Sequence, residues 1–244
     1  MQSAKKMLFQ TLRGLFARAG LNVTINRPVR NRMKLLTLKI KELGVGTVLD
    51  VGANRGQFAM ELRGAGYAGP IVSFEPLAAV YPLLQQRARR DKNWSVAPRM
   101  ALGDVPGRAQ INIAQNLDSS SLLTVSQRSI DAASETHCVG TDDIEIRRLD
   151  EVIHESWKKP FALKLDTQGF ELQVLKGAET VLKNTAVIMT ELSLAPLYDG
   201  GATMVEVFQL LELQGFRCIG LMEGFVDVQR NEVLQVDGIF IRQS

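Results

Sequence analysis

The stretch Val48-Leu49-Asp50-Val51-Gly52-Ala53-Asn54-Arg55-Gly56-Gln57-Phe58 decides the fold. Its apolar run, from Thr47 to Val51, predicts a buried strand. Two glycines then frame a tight turn over 52–56, and a short helix is predicted from Gln57 to Gly64. In a parallel sheet, ligands sit at the carboxyl ends of strands, where the strand order reverses. Gly52 lets the backbone turn and approach a ligand with no Cβ in the way. Gly56 lets the helix start close to the strand, and Asp50 is expected at the strand end beside the pocket.

The spacing is G-x-x-x-G, with Ala53, Asn54 and Arg55 inside the turn. A dinucleotide site carries G-x-G-x-x-G, whose helix N-terminus faces a pyrophosphate. An acid at the loop entrance suits a cationic or zwitterionic ligand better than a phosphate. S-adenosylmethionine, with an ammonium and a sulfonium, has that charge. Nineteen residues after Gly56 the segment Ser73-Phe74-Glu75-Pro76 places a second acid at the end of the next strand. A carboxylate there can accept hydrogen bonds from both ribose hydroxyls, and Pro76 stops the strand.

Working outward, short apolar runs alternate with helical patterns. Strands are expected over 70–74, 94–101, 109–114, 143–148, 161–165, 186–191, 216–222 and 238–242. Helices are expected over 77–90, 170–182 and 203–214. The polar, serine-rich stretch 116–135 reads as a loop with one helical turn. Strand–helix alternation at this spacing predicts a doubly wound α/β domain with a parallel sheet covered on both faces.

The chain has 244 residues, 45% of them hydrophobic and 23% charged, enough for one large domain with an arm. Cys138 and Cys218 are far apart, so neither a zinc ribbon nor a redox dithiol is indicated. The net charge of +3 conceals an asymmetry. Residues 1–44 carry ten Lys/Arg and one acid, Glu42, a balance of +9, so the remainder is net −6. The basic arm reads as two helices, over 1–20 and 29–43, followed by a domain over 45–244. Lys5, Lys6, Arg13 and Arg18 interrupt any signal-peptide core, and no apolar run is long enough to span a bilayer. A cytoplasmic location is expected by default. The arm is expected to rest on its own domain, to mediate a homodimer, or to make peripheral contact with the inner face of a membrane. Nucleic acid is not expected as a partner, because the basic residues lack interleaved aromatics and the main domain is acidic.

Taken together, the motifs resemble the FkbM family of methyltransferases. Asp50 to Phe58 follows that family's D-x-G-A-N-x-G-x-[FY]. Phe74-Glu75-Pro76 follows its F-E-P, and Ala101-Leu102-Gly103-Asp104 with Gly107 follows its A-L-G-D-x-x-G. Ser119-Ser120-Ser121 follows its serine cluster. Lys164-Leu165-Asp166-Thr167-Gln168-Gly169-Phe170-Glu171, with Gly177-Ala178, follows its K-[IL]-D-x-[EQ]-G-x-E block, and Glu191 its next strand-end acid. The resemblance covers residues 46–242. It implies a class I methyltransferase fold, a seven-stranded, mostly parallel sheet whose last strand is antiparallel. It also implies methyl transfer from S-adenosylmethionine, usually to oxygen, often on sugars or natural-product scaffolds. The commoner block reads D-x-E-G, and Gln168 stands here in place of that acid.

Methyl transfer is an in-line displacement, and a sugar hydroxyl needs a base nearby. Asp166 is the candidate to accept the hydroxyl proton, or to anchor a divalent cation that lowers the hydroxyl's pKa. Glu191 is the natural second carboxylate and His137 an alternative base. His154, among Trp157 and lysines, reads as a surface residue. The donor is expected against Asp50, Gly52, Ala53, Asn54, Gly56, Phe58, Glu75, Pro76, Gly103, Asp104 and Asp166, with Gly103 and Asp104 at the adenine. Ser119, Ser120, Ser121 and Gln168 are expected to face the acceptor, a small molecule or glycolipid sugar. No metal-ligand set is assigned. Two rivals stand: an NAD-dependent oxidoreductase, whose glycine pattern is absent, and a non-catalytic protein that has kept the cofactor fold.

Overall fold

The computed structural model describes residues 31–243. The expected helix over 1–20 lies outside the described residues. The second arm helix is present as α1, Arg32–Glu42, capped by the Asn31 side chain, which accepts from the Lys34 amide. Strand β1 (Thr47–Val51) and helix α2 (Gln57–Gly64) follow as expected. Next come β2 (Ile71–Phe74), α3 (Tyr81–Ala88) and β3 (Trp94–Val96). Helix α3 begins later than expected because Pro82, which lacks an amide hydrogen, sits in its first turn.

The expected strand over 94–101 is in fact two strands in different sheets. Pro98 cannot donate to a ladder, and after it the chain turns away to form β4 (Ala101–Leu102). β4 joins β5 (Gly107–Ala114) and β6 (Cys138–Arg147) in a separate three-stranded sheet ordered β4-β6-β5. The intervening polar stretch holds α4 (Gln127–Ala132) and one 3-10 turn (Ser134–Thr136).

After α5 (Leu149–Val152) the main sheet resumes with β7 (Phe161–Leu165). The expected helix over 170–182 is split at Gly177 into α6 (Glu171–Lys176) and α7 (Glu179–Lys183). A Cβ on Gly177 would lie 2.0 Å from the Gly103 carbonyl, so only glycine allows this close approach. Then follow β8 (Thr185–Ser193), α8 (Met204–Leu213) and β9 (Phe216–Glu223). A small hairpin, β10 (Val226–Asp227) and β11 (Glu232–Val233), leads to β12 (Gln235–Arg242). α8 opens with a capping box in which Thr203 and Glu206 each satisfy the other's backbone amide.

The main sheet runs β3-β2-β1-β7-β8-β12-β9. β1 is parallel to both β2 and β7, whereas β12 is antiparallel to both of its neighbours. Every residue of β1 and β7 is buried, as befits central strands covered on both faces. The period of two divides the core. Val48, Ile71, Ala162, Val187 and Ile239 pack under α1, α2 and α3. Leu49, Val72, Leu163, Ile188 and Phe240 pack under α6, α7 and α8. Helix α1 buries Met33, Leu35, Leu36 and Ile40 in the first of these layers, so it is built into the core.

Candidate active site

The strand order reverses between β1 and β7, and a cleft opens there at the carboxyl ends. One half of its wall is apolar, from Phe74, Met100, Ala101, Leu102, Ile111 and Phe170. The other half carries Asp166, Gln168, Glu191, Asp237 and, from α1, Arg32. Among the described residues the wall holds six carboxylates and two cations, Arg32 and Lys164.

The first turn is built as the glycines require. Gly52 has φ +72°, and a Cβ on it would fall 1.8 Å from the Asp166 carbonyl. Gly56, at φ +86°, abuts the Trp94 indole at the back of the turn and does not line the cleft. Ala53, Asn54 and Phe58 do line it. Asn54 takes φ +46°, a region that asparagine tolerates.

Asp50 is a correction. It does not border the cleft; it is fully buried on the sheet face under α1, α2 and α3. Its register neighbour on β7 is Lys164, whose Nζ lies 3.2 Å from Oδ1. Ser73, its neighbour on β2, donates to Oδ2 at 3.0 Å, and the Trp94 indole donates to Ser73 in turn. Lys164 Nζ also donates to the Gly52 carbonyl at 2.7 Å and lies 3.5 Å from Asp166. Burial alone would lower the lysine's pKa, but Asp50 and Asp166 outweigh it and raise it, so this ammonium is permanent. The charge of Asp50 is therefore met inside the protein, and the cleft's negative character comes from other acids.

Glu75 is one of them, at the end of β2 with Pro76 beside it on the cleft wall. Its Oε2 accepts from the Asn54 amide at 2.6 Å and Oε1 from the Leu77 amide at 2.8 Å. These bonds aim the carboxylate and leave lone pairs on both oxygens for further donors. Burial pushes its pKa up to about 7, against the opposing pull of those two amides.

The turn after β7 is organised by Glu171, whose buried Oε1 accepts from the Thr167 amide, the Thr167 hydroxyl and the Gly169 amide. That arrangement holds Gln168 at φ +55°. Its Nε2 donates to Asp166 Oδ1 at 2.7 Å and to Glu191 Oε2 at 2.9 Å. Its Oε1 accepts from the Tyr198 hydroxyl at 2.7 Å. Gln235 donates to the same Glu191 oxygen at 3.1 Å. One neutral amide thus joins two carboxylates where a third acid would repel both. Glu191 is partly buried on the cleft wall. Desolvation first, then the like charges of Asp166 and Glu171, pushes its pKa well above the usual carboxylate range. Asp166 has a third of its side chain exposed to the cleft.

The remaining expectations divide. Ser120 and Ser121 line the cleft, although Ser121 Oγ is engaged with the Gln168 carbonyl and the Leu123 amide. Ser119 does not line it; its carbonyl accepts from Tyr198. Gly103 and Asp104 are not on the wall either. They are drawn against the α6–α7 junction, where Gly103 meets Gly177 and Phe170 and the Asp104 carbonyl accepts from Arg148. The wall there is formed by Met100, Ala101 and Leu102 just before them. His137 is exposed and outside the cleft, bonded to the Ser134 carbonyl, because β6 carries it to the rim of the side sheet. His154 is likewise exposed.

Lys164, Tyr198, Arg32, Asp237 and Met189 were not expected at the site. The K-x-D spacing that puts Lys164 and Asp166 on one face of β7 was a usable signal for the first. Nothing local marks Asp237, which reaches the cleft only because β12 inserts beside β8, with Asp237 opposite Glu191. Two buried acceptors on or beside the wall, Asn54 Oδ1 and Gln57 Oε1, have no protein partner. Open acceptors in an acid-rich wall suit a cationic ligand with N–H or O–H donors. Among the described residues, no three His, Cys, Asp or Glu side chains converge as a metal cage.

This sheet order, with its antiparallel β12 and a cleft at the β1–β7 reversal, defines a class I methyltransferase fold. The chain belongs to the methyltransferase FkbM domain family, whose family model matches residues 50–218. It is 28% identical over 155 residues to methyltransferase sdnD of Sordaria araneosa, covering 54% of this chain and 60% of that protein. The crystal structure of a methyltransferase FkbM from Methylobacillus flagellatus KT superposes with a TM-score of 0.50 at 17% identity, covering 80% of this chain and 43% of that one. The chain therefore spans three-fifths of the first relative and less than half of the second.

Proposed function

We propose that this protein transfers a methyl group from S-adenosylmethionine to a hydroxyl of a small or sugar-like acceptor, with Asp166 as the base. The observation that carries the reading is the Asp166–Gln168–Glu191 cluster facing an acid-walled cleft at the strand reversal. When bound, S-adenosylmethionine supplies an electrophilic methyl on a sulfonium. The residues do the rest. The turn at Gly52 and the Asn54 and Gln57 acceptors hold the polar end, Glu75 takes the ribose hydroxyls, and the apolar half encloses the adenine and excludes water. The carboxylates favour positive charge at the sulfur. Gln168 fixes Oδ1 of Asp166, and Oδ2, 3.5 Å from the Lys164 ammonium, keeps a lone pair to accept the proton of the attacking hydroxyl.

The sugar is supported by family likeness, and Ser120 and Gln168 offer matching polar groups on the wall. Contact of the arm 1–44 with an anionic membrane surface, which would present a lipid-linked acceptor, rests on its ten Lys/Arg, as does a homodimer through the arm on its apolar stripe. Within the described residues no helix is long and apolar enough to cross a membrane. Adenosylhomocysteine release over a panel of glycans and simple alcohols tests the reaction. Asp166→Asn is expected to cut turnover by about 100-fold or more, with adenosylhomocysteine affinity kept within a few-fold. Near-normal turnover in that variant would remove Asp166 from the role of base.

A further inference from the structure

An acid-rich wall creates a difficulty for the proposed donor, which carries an α-carboxylate as well as two positive groups. That carboxylate must meet a cation or sit unpaired among like charges, which is costly in a partly dry cleft. Only two cations line the wall among the described residues, Arg32 and Lys164. Lys164 is spent. Its ammonium lies within 3.5 Å of four acceptors: the carbonyls of Val51 and Gly52 and the carboxylates of Asp50 and Asp166.

Arg32 is differently placed. It is the first residue of α1, and its side chain is 43% exposed. Nη1 donates to Asp237 at 2.6 Å, and Nη2 reaches Glu61 on α2 at 3.5 Å. A guanidinium has five N–H donors in a fork that matches a carboxylate. Asp237 is the complement, with 6% of its side chain exposed and Arg32 as its ion-pair partner. One turn before Glu61, Gln57 holds its buried Oε1 without a partner.

We infer that Arg32 and Asp237 together read the amino-acid end of the methyl donor, Arg32 taking its carboxylate and Asp237 its ammonium. The ligand zwitterion enters between two opposite charges that already face one another. One ion pair becomes two, and no charge is left unpaired. Gln57 Oε1 is a further acceptor for the ammonium. Helix α1 is then a wall of the donor site as well as a cover for the sheet. The inference rests on the donor assigned above, and the test separates the two.

Isothermal titration of the full chain with three probes decides it: adenosylhomocysteine, its decarboxylated analogue, and methylthioadenosine, which lacks the whole amino-acid end. The unaltered protein is expected to prefer adenosylhomocysteine over the decarboxylated analogue by about tenfold or more, the effect of one charge-assisted pair. Arg32→Met should erase most of that preference while binding the decarboxylated analogue as the unaltered protein does. Arg32→Lys should keep part of it. Asp237→Asn should weaken both amine-bearing probes and leave methylthioadenosine unchanged. A preference that survives Arg32→Met overturns the inference. So does an equal loss for all three probes, which would make Arg32 merely a tether for α1. If the unaltered protein binds methylthioadenosine and adenosylhomocysteine equally, the zwitterion reading falls and the donor stands. If it binds none of the three, the donor falls first.

Discussion

Glu75 has 3% of its surface exposed and is held by two backbone amides, yet its pKa rises to about 7 because burial outweighs both bonds. Its folded pKa thus lies above the ordinary 4.5, and protonation favours the fold. The corresponding stability is present below pH 4.5 and lost as pH rises to about 7. Ligand binding has the opposite preference, since ribose hydroxyls donate to the carboxylate. Adenosylhomocysteine affinity should therefore fall as pH drops below 7, approaching tenfold per pH unit, and flatten above it. Calorimetry between pH 6 and pH 8 reads this, and Glu75→Gln should flatten the profile. A slope that persists in the variant assigns the titration to another group. Gln168 shows the same balance from the other side. An amide donates to both Asp166 and Glu191, whereas an acid at that position would add a third negative charge.

At the scale of elements, β1 and β7 are joined by more than their ladder. Asp50 and Lys164 are buried register neighbours, Asp50 completely, and Ser73 and Trp94 extend the polar contact to β2 and β3. Breaking a buried pair from one side leaves a charge uncompensated. Lys164→Met should cost about 3–5 kcal/mol, read as a lower midpoint in urea. Adding Asp50→Asn to that variant should restore part of the loss. A loss under about 1 kcal/mol would mean that water reaches Asp50. The same lysine holds the Gly52 carbonyl, so the variant should also loosen the turn that carries Asn54. The side sheet of β4, β5 and β6 has a different role. β4 follows directly on Met100 and, with it, forms the apolar end of the cleft.

For the whole molecule, the basic segment 1–44 is not one unit appended to a finished domain. α1 places Met33, Leu35, Leu36 and Ile40 over Val187, Met189, Ile239 and Ile241. Four such side chains at about 2 kcal/mol each approach the whole stability of an ordinary domain. Removal of 1–44 should give aggregated protein, or one melting at least about 10 °C lower, whereas removal of 1–30 leaves α1 in place. Parallel thermal melts of the two truncations provide the comparison. Equal melting of both would show that α1 adds little to the fold.

By itself the sequence determined the α/β alternation, the glycine turn after β1, Glu75 at the end of β2, and Asp166 and Glu191 at the ends of β7 and β8. These follow from local chemistry: apolar period, turn residues, and acids at strand ends. Only the tertiary structure decided which acids face the ligand. Asp50 and Asp166 point to the same face of the sheet, but Asp50 lies inside β1, level with Lys164, whereas Asp166 lies one residue past the end of β7 and reaches the cleft. The pairing order also brought Asp237 opposite Glu191, and helix packing brought Arg32 to Asp237 across 205 residues of chain. Contacts at that separation depend on how faces are stacked, and no local pattern in the chain encodes them.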